Sequence, residues 1–279
     1  MRVLLIRNDC EVNVMRVTIA EIRKKKAKGE RFAAITAYDV VTARLVDEAG
    51  IPFLLVGDSL GMVALGYDST IPVTLDEMLH HTRAVVRGNQ KSLIVADLPF
   101  MTYHRSPEQA LENAGRCLQE GGAQAVKLEG GRAIAETVAR VTGAGIPVVG
   151  HLGLTPQSIH QLGGFKAQGK DVGRARELLD DAVALEESGA FAIVLECVPA
   201  ELSKLITERV TIPTVGIGAG PHCDGQVLVY HDLLGLLPHP APKFVRRYAE
   251  QHRDQVDAIR RWAEDVRGGG FPSEDESYR

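Results

Sequence analysis

The run Ala125-Val126-Lys127-Leu128-Glu129 is short, mostly apolar and ends in an acid that two glycines follow. Three other runs are also short, mostly apolar and end in an acid: Leu54-Leu55-Val56-Gly57-Asp58, Leu93-Ile94-Val95-Ala96-Asp97 and Ala192-Ile193-Val194-Leu195-Glu196. Each run is too short for a helix and is rich in Val, Ile and Leu, which is typical of a buried strand. The four runs therefore predict strands whose carboxyl ends carry acidic side chains.

Strand signals of this kind recur along the chain and alternate with helical segments. The predicted strands cover residues 32–38, 53–58, 93–97, 125–129, 147–151, 191–196, 213–218 and 226–230. This pattern favours an α/β fold of the (β/α)8 TIM barrel type over an open doubly wound sheet, because no GxGxxG turn follows an early strand. Barrel enzymes carry their active sites at the carboxyl ends of the strands, which is where these acids fall.

The segments outside this repeat have simpler interpretations. Thr18-Ile19-Ala20-Glu21 is a capping box that opens a helix ahead of the first strand, and we expect that helix to cap the bottom of the barrel. Residues 15–267 are predicted to form a single barrel domain. Residues 1–14 match neither a strand–helix repeat nor a cap, and we interpret them as an N-terminal extension. An amphipathic helix around 243–266 precedes a polar tail, 268–279, that we expect to be flexible.

Composition narrows the classes of partner. The 279 residues carry a net charge of −4, which argues against nucleic acid or an anionic membrane as the main partner. No apolar stretch is long enough to span a membrane, and the N-terminus lacks a secretory signal. The four cysteines (Cys10, Cys117, Cys197 and Cys223) are widely spread and lack CxxC spacing, which predicts reduced thiols in a cytoplasmic protein. We therefore expect small-molecule substrates.

Three of the acids at strand ends suggest a metal site. Side chains alternate along a strand, so Asp58 is predicted to share a face with Val56, and Asp97 with Val95. Together with Glu129, these acids then point the same way as core residues. Without nearby cysteines or clustered histidines, three carboxylates form a hard oxygen site suited to Mg²⁺ or Mn²⁺ rather than zinc. Each acid alone would more often cap a helix or pair with a basic residue, but three at matching strand ends favour the metal site.

Glu196 and Lys127 are candidates for roles in the reaction. Glu196, at the end of the sixth strand, would act as a general base, and the alternative is a helix cap or a salt bridge. Lys127 is the natural cation for a substrate carboxylate. Its alternative is an internal ion pair with Glu129 or Asp97, and the two roles can coexist.

Ser59 and His151 complete the set of candidate site residues. Ser59 adjoins Asp58 in a turn between glycines, where it either donates a hydrogen bond to an anionic substrate or only forms the turn. His151 ends the fifth strand and is either a supporting residue that faces the site or a structural histidine.

Short motifs in a fixed order cover most of the chain. They are Ile35-Thr36-Ala37-Tyr38-Asp39, Val56-Gly57-Asp58-Ser59-Leu60-Gly61-Met62-Val63, Ala96-Asp97-Leu98-Pro99-Phe100, Lys127-Leu128-Glu129-Gly130-Gly131, Gly150-His151-Leu152-Gly153-Leu154-Thr155-Pro156-Gln157, Leu195-Glu196-Cys197-Val198-Pro199, Gly216-Ile217-Gly218-Ala219-Gly220 and Asp224-Gly225-Gln226. Together they resemble the ketopantoate hydroxymethyltransferase family. The resemblance runs from about Thr18 to about Tyr248 and leaves residues 1–14 and the chain beyond about Val266 outside the pattern. Leu98 stands where methionine is common, a conservative change.

The resemblance implies a barrel like those of phosphoenolpyruvate mutase and isocitrate lyase, with one Mg²⁺ per subunit, in a homodecamer. The implied reaction transfers a hydroxymethyl group from 5,10-methylenetetrahydrofolate to 3-methyl-2-oxobutanoate through a Mg²⁺-stabilised enolate. The product is 2-dehydropantoate, in pantothenate (coenzyme A) biosynthesis. The implied metal residues are Asp58, Asp97 and Glu129, the implied keto-acid residues are Asp58, Ser59, Asp97 and Lys127, and the implied proton acceptor is Glu196.

Two alternatives to this function stay open at this point. Another Mg²⁺-enolate carbon–carbon lyase or mutase of the same superfamily would share the barrel and the acids. Such enzymes usually carry a reactive cysteine in a flexible loop, and Cys197 follows Glu196 without such a loop. The other alternative, a non-catalytic metabolite-binding barrel, would have no need of every acid at the strand mouths.

Overall fold

Parallel strands form a closed barrel in the computed structural model, which describes residues 16–164, 166–238 and 240–278. In these ranges there are eight strands; each pairs with the next, and the last pairs with the first. They are β1 (Phe32–Thr36), β2 (Phe53–Val56), β3 (Leu93–Asp97), β4 (Ala125–Glu129), β5 (Val148–Gly153), β6 (Ala192–Glu196), β7 (Thr214–Ile217) and β8 (Gly225–Leu228). The predicted (β/α)8 barrel is confirmed, while the predicted extension over residues 1–14 lies outside the described residues.

Helices cover the outside of the barrel and its ends. They are α1 (Ile19–Ala27), α2 (Val40–Glu48), α3 (Leu60–Val63), α4 (Leu75–Gly88), α5 (Pro107–Gln119), α6 (Ala135–Gly143), α7 (Ile159–Leu162), α8 (Val172–Glu187), α9 (Ala200–Arg209), α10 (Tyr230–Leu233) and α11 (Gln251–Gly268). Short 3₁₀ turns, Arg132–Ile134 and Pro156–Ser158, precede α6 and α7. Among the described helices, none combines the length and the apolar character needed to cross a bilayer.

The interior of the barrel is filled by alternate side chains of the strands. Phe53, Leu93 and Val149 belong to this cluster, and Ile22 of α1 joins it with no exposed surface. The Thr18 capping box starts α1 as predicted, because its side chain accepts a hydrogen bond from Glu21 N. Burial of Ile22 stabilises the fold by roughly 1.5–3 kcal/mol. Helix α1 therefore closes the bottom of the barrel, and the site is confined to the opposite end.

Several predicted boundaries were wrong. β2 ends at Val56 rather than at residue 58, and β8 ends at Leu228 rather than at residue 230. Helix α11 begins at Gln251 rather than near residue 243, because Tyr248 N and Gln251 N donate hydrogen bonds to the carbonyl groups of residues 233 and 234. Those bonds hold the preceding chain against α10 in an irregular path.

Some predictions about domain organisation are not tested by the structure. The single-domain span over residues 15–267 and the flexibility of the tail over 268–279 stay predictions. Residues 270–278 follow α11 as turns, and the Phe271 ring lies 6.4 Å from the Trp262 ring, measured between centroids.

Candidate active site

A cavity of about 820 Å³ opens at the carboxyl ends of the strands. Its deep part is lined by the titratable residues Asp58, Asp97, Lys127, Glu129, His151 and Glu196, together with Ser59. All of the six except Glu196 are at most 5% exposed. They come from the ends of five neighbouring strands, β2 to β6. The tertiary structure therefore brings together every candidate site residue that the sequence singled out.

Asp58 reaches this cavity by a different route from the one predicted. Val56 packs outward with Leu54 and Ile94, so a residue on its face would point away from the cavity. The strand instead ends at Val56, and the chain turns at Asp58. Gly57 permits this turn, because a Cβ atom there would lie 2.9 Å from Ser59 Oγ. The predicted alternation is wrong for Asp58 and is confirmed for Asp97, whose partner Val95 lies in the barrel interior.

Asp97 and Lys127 lie opposite each other on β3 and β4. Lys127 Nζ is 3.2 Å from Asp97 Oδ2, and the same oxygen accepts a hydrogen bond from Asp58 N at 3.0 Å. Burial by itself would lower the pKa of Lys127, but the carboxylates of Asp97, Glu129 and Asp58 outweigh burial and raise it. The internal ion pair expected as one role of Lys127 is present, and the ammonium group stays charged.

The pKa values of Asp58 and Glu129 shift in opposite directions. Burial raises the pKa of Asp58 well above its usual value, and the charges of Asp97 and Glu129 raise it further. Burial would also raise the pKa of Glu129, but His151, Lys127 and a backbone N–H group outweigh it and lower that pKa. The like charges around Asp58 are thus only partly neutralised by the protein.

His151 connects Glu129 to Glu196. Its Nδ1 atom lies 3.3 Å from Glu129 Oε1 and 3.2 Å from Lys127 Nζ, and its Nε2 atom lies 3.1 Å from Glu196 Oε2. Burial and Lys127 would lower the pKa of His151, but the two carboxylates outweigh them and raise it to about 9. The imidazole is therefore positively charged at neutral pH and forms an ion pair with the Glu196 carboxylate at the mouth of the barrel.

Ser59 is held by a tyrosine that sequence analysis did not select. Tyr38, which is 2% exposed, places its hydroxyl 2.9 Å from Ser59 Oγ. Ser59 is the N-terminal cap residue of α3, but its side chain caps no backbone group there. Its hydroxyl therefore faces the cavity and is available to a bound molecule.

The deep part of the cavity fits a divalent cation. Four carboxylates (Asp58, Asp97, Glu129 and Glu196) surround one ammonium and one imidazolium group, so the fully ionised set carries two net negative charges. Asp97 Oδ1 is buried without a hydrogen-bond partner, and Glu129 Oε1 faces the His151 ring at 3.3 Å without a well-aligned hydrogen bond. Buried acceptors of this kind are costly unless a cation or a donor satisfies them.

The protein alone does not supply a full coordination shell. In the described part of the chain, no group of three or more His, Cys, Asp or Glu side chains is arranged to hold a metal ion by itself. Mg²⁺ typically binds one or two carboxylates and completes its octahedron with water and substrate oxygens. The donor set therefore fits Mg²⁺ held jointly with a substrate better than a metal enclosed by protein.

The outer part of the cavity has a different character. Apolar side chains of Met62, Val63, Leu237 and Phe244 line it, and Lys243 stands at its edge. We call these five residues the outer wall of the cavity, because they are more exposed than the buried acids.

Comparison with known proteins identifies the family of the chain. A family model described as "Ketopantoate hydroxymethyltransferase" matches residues 16–274. The chain belongs to the ketopantoate hydroxymethyltransferase family. The match continues beyond Val266, so the expectation that the last part of the chain lies outside the family pattern was wrong.

Curated relatives of this family cover nearly the whole chain. A 3-methyl-2-oxobutanoate hydroxymethyltransferase of Carboxydothermus hydrogenoformans is 60% identical over 94% of this chain and 95% of the relative. An enzyme of the same name from Chloroflexus aurantiacus is 58% identical over 95% of this chain and 94% of the relative. Both relatives are transferases by name, as the sequence-based assignment expected.

Solved structures with the same fold superpose on most of the chain. A phosphonopyruvate hydrolase is 16% identical and superposes with a TM-score of 0.61, covering 95% of this chain and 92% of that chain. A 2,3-dimethylmalate lyase of the PEP mutase/isocitrate lyase superfamily is also 16% identical, with a TM-score of 0.58, covering 95% of this chain and 92% of that chain. At these identities the likeness concerns the fold alone, and it gives no support to a lyase or mutase activity for this member of the transferase family.

Sequence reasoning missed three buried residues beside the acids: Tyr38, Tyr103 and Gln157. Each makes a side-chain hydrogen bond within the site. Tyr38 and Gln157 lie in motifs quoted above, ITAYD and GLTPQ, but nothing in their spacing marks them as neighbours of acids on other strands. Tyr103 lies outside all of those motifs, and only the barrel places it beside Glu129.

Proposed function

We propose that this chain transfers a hydroxymethyl group from 5,10-methylenetetrahydrofolate to 3-methyl-2-oxobutanoate, giving 2-dehydropantoate and tetrahydrofolate, as a step of pantothenate biosynthesis. Membership of the ketopantoate hydroxymethyltransferase family supports this assignment. The observation that carries it is the meeting of Asp58, Asp97 and Glu129 in one cavity that also holds a buried cation and a more accessible acid.

We propose Asp58, Asp97 and Glu129 as the residues that hold Mg²⁺, directly or through water. The buried Asp97 Oδ1 atom, which has no hydrogen-bond partner, and the net negative charge of the site support this role. When bound, Mg²⁺ would supply positive charge that stabilises the enolate of the keto acid. One of the similar solved structures, a phosphonopyruvate hydrolase, is described as a complex with oxalate and Mg²⁺.

Lys127 and Ser59 are proposed to bind the keto acid, with Asp58 and Asp97 also in contact with it. The Lys127 ammonium is only 4% exposed and remains charged, so it attracts the substrate carboxylate in a site with little competing water. The Ser59 hydroxyl, held by Tyr38, donates a hydrogen bond to the same end of the substrate. Together they orient the reacting carbon toward Glu196.

Glu196 is proposed to remove the proton from C3 of the keto acid. It ends β6 at the mouth of the barrel, and its side chain is 17% exposed, so it can reach the substrate and exchange its proton with solvent. His151 acts as a supporting residue that orients the Glu196 carboxylate. C3 then bonds to the methylene carbon of the folate, the carbon–nitrogen bonds of that methylene break, and one water supplies the hydroxyl oxygen.

The outer wall of the cavity is proposed to bind the folate. Phe244 and Met62 offer flat and flexible apolar surfaces to the pterin and aminobenzoyl rings. Lys243, at the edge, suits the glutamate carboxylates of the folate tail. This placement puts the one-carbon unit between the wall and the deep charged part.

Homodecameric assembly and a cytoplasmic location are proposed as well. Helix α11 has no buried residue, and Ile259, Trp262 and Val266 on it are 64%, 55% and 46% exposed. Exposed apolar surface of this kind supports association between subunits. Among the described residues, Cys117, Cys197 and Cys223 are free thiols, which fits a reducing compartment. Light scattering of the purified protein measures the assembly.

One experiment tests the reaction in two stages. The protein is incubated with 3-methyl-2-oxobutanoate in D₂O with and without Mg²⁺, and the C3 proton is followed by NMR. We expect exchange with Mg²⁺ and little without it. Addition of 5,10-methylenetetrahydrofolate should then give 2-dehydropantoate. Exchange without any product on addition of the folate would refute the transferase function, and no exchange under either condition would refute the proposed chemistry.

A further inference from the structure

Gln157 crosses the mouth of the barrel and contacts two of the acids proposed to hold Mg²⁺. It lies in the 3₁₀ turn Pro156–Ser158 after β5 and is 3% exposed. Its side-chain Nε2 donates a hydrogen bond to Asp58 Oδ2 at 2.8 Å, and its backbone N donates to Glu129 Oε2 at 3.0 Å. Gln157 therefore donates a hydrogen bond to one oxygen of each carboxylate.

The orientation of the Gln157 amide is determined by its other partners. Nε2 also donates to the carbonyl oxygen of Leu98 at 3.0 Å, which uses the second amide hydrogen. Oε1 accepts a hydrogen bond from the Tyr103 hydroxyl at 2.7 Å. That hydroxyl in turn accepts a hydrogen bond from Glu129 N at 3.1 Å. A flipped amide would place Oε1 against the Leu98 carbonyl and the Asp58 carboxylate, which accept hydrogen bonds, so the nitrogen faces Asp58.

A neutral donor at this position has a consequence that a charged donor would not have. An arginine or lysine would neutralise Asp58 and compete with a cation for it. The amide holds the carboxylate in place and leaves its negative charge available. The second oxygen of Asp58 receives no hydrogen bond from a described residue, and Glu129 Oε1 faces only the His151 ring, at 3.3 Å and without good alignment.

We propose that Gln157, held by Tyr103, is a positioning residue that directs one oxygen of Asp58 and one oxygen of Glu129 toward Mg²⁺. The inference rests on the magnesium site of the proposed function. Partners that orient metal ligands typically contribute about 10- to 100-fold to metal affinity. If Gln157 were purely structural, its amide would only join the loops after β3 and β5 through Leu98 and Tyr103. Its removal would then leave the affinity for Mg²⁺ unchanged.

The test compares Gln157→Met with a matched glutamine at the other end of the barrel. Methionine keeps the length of the side chain and removes the amide. Gln124 also bridges two segments by its amide: Oε1 accepts from Ile94 N at 2.8 Å and Nε2 donates to Gly122 O at 3.0 Å. Gln124→Met therefore removes a structural amide without approaching the acids. Mg²⁺ is titrated calorimetrically into each folded protein with 3-methyl-2-oxobutanoate present and no folate.

We expect the Kd for Mg²⁺ to rise about 10- to 100-fold in Gln157→Met and to stay within about twofold in Gln124→Met, while the Tm of both variants falls. High Mg²⁺ concentration should restore most of the C3 proton exchange in Gln157→Met. A rise of less than about fivefold in folded Gln157→Met would overturn the positioning role, although the magnesium site would stand. Failure of the wild-type protein to bind Mg²⁺ would instead refute that site and the inference with it.

Tyr103→Phe provides a second route if Gln157→Met does not fold. This variant keeps the ring and Gln157 and removes the hydroxyl, which holds the amide and also bonds to the Glu129 backbone. We expect at least about threefold weaker Mg²⁺ binding. An unchanged Kd for Mg²⁺ in Tyr103→Phe would overturn the proposal.

Discussion

His151 Nε2 lies 3.1 Å from Glu196 Oε2, while Nδ1 of the same ring lies 3.3 Å from Glu129 Oε1. The imidazole thus joins an acid proposed to hold the metal to the acid proposed to accept the proton. Since β5 lies between β4 and β6 in the barrel, its side chain is placed to touch both neighbours. Both contacts favour the charged form of the ring, so His151 links the stability of the site to pH.

The stability that His151 provides should therefore depend on pH. Its pKa is raised to about 9 in the folded protein, so its contribution is complete below the unfolded value near 6.5 and is lost as pH rises through 9. We expect the difference in unfolding free energy between wild type and His151→Gln, without Mg²⁺, to shrink by roughly 3 kcal/mol over that interval. Chemical denaturation at several pH values measures it. A constant difference from pH 6 to pH 10 would show that the ring does not titrate there.

Glu196→Gln should separate binding from proton removal. The amide keeps the size of the side chain but cannot accept a proton from carbon, so we expect C3 exchange to fall at least about 100-fold while Mg²⁺ and keto acid still bind. Glu186→Gln is the control, since Glu186 accepts hydrogen bonds from Thr211 N and Ile212 N away from the cavity. Exchange at the wild-type rate in Glu196→Gln would remove Glu196 as the base.

Asp58→Asn should stabilise the metal-free protein and abolish its response to Mg²⁺. Burial and then the charges of Asp97 and Glu129 raise the pKa of Asp58, so this carboxyl group lowers the stability of the metal-free protein at neutral pH. We expect the Tm in EDTA to rise by roughly 2–4 °C. Differential scanning calorimetry with and without Mg²⁺ measures both effects.

The control for Asp58→Asn is Asp224→Asn. Asp224 Oδ2 lies 3.1 Å from Lys26 Nζ, next to α1 at the closed end of the barrel. Loss of this ion pair should lower the Tm and leave the Mg²⁺ response intact. A lower Tm for Asp58→Asn in EDTA would contradict the proposed charge repulsion.

Phe244→Ala should affect the folate and not the keto acid. The ring lines the outer wall of the cavity, and it packs so closely on Gly218 that a Cβ there would lie 2.9 Å from it. We expect the KM for 5,10-methylenetetrahydrofolate to rise about tenfold, with unchanged C3 exchange. Phe271→Ala, which removes an exposed ring beside α11, is the matched control. Equal folate KM values in the two variants would place the folate elsewhere.

Cys197→Ser should retain most of the transferase activity. Burial, and then the Glu196 carboxylate, raise the pKa of the Cys197 thiol to about 11, so the reactive thiolate is scarce at pH 8. We expect alkylation of this thiol by iodoacetamide to be about 100-fold slower than that of a free cysteine. Rapid alkylation of Cys197 together with loss of activity would instead support a lyase-type mechanism with a reactive cysteine.

Much of the fold was predictable because its signals are local. The apolar runs, the capping box at Thr18 and the regular alternation of strands and helices follow from short-range preferences, and they led to the correct barrel. The ends of the strands and helices were harder to predict. The start of α11 depends on hydrogen bonds that Tyr248 N and Gln251 N donate to carbonyl groups at the end of α10. Local sequence patterns do not reveal contacts between residues this far apart in the chain.

The sequence by itself determined the class of fold, the family and the acids at the strand ends, because each depends on residue types at short spacing. Only the tertiary structure decided how those acids are used. In the folded chain, Asp58 points into the cavity from the turn after β2, and Gln157 contacts Asp58 although 99 positions separate them. Closure of the barrel is the physical reason, since it makes neighbours of loops that the chain separates by whole strand–helix units.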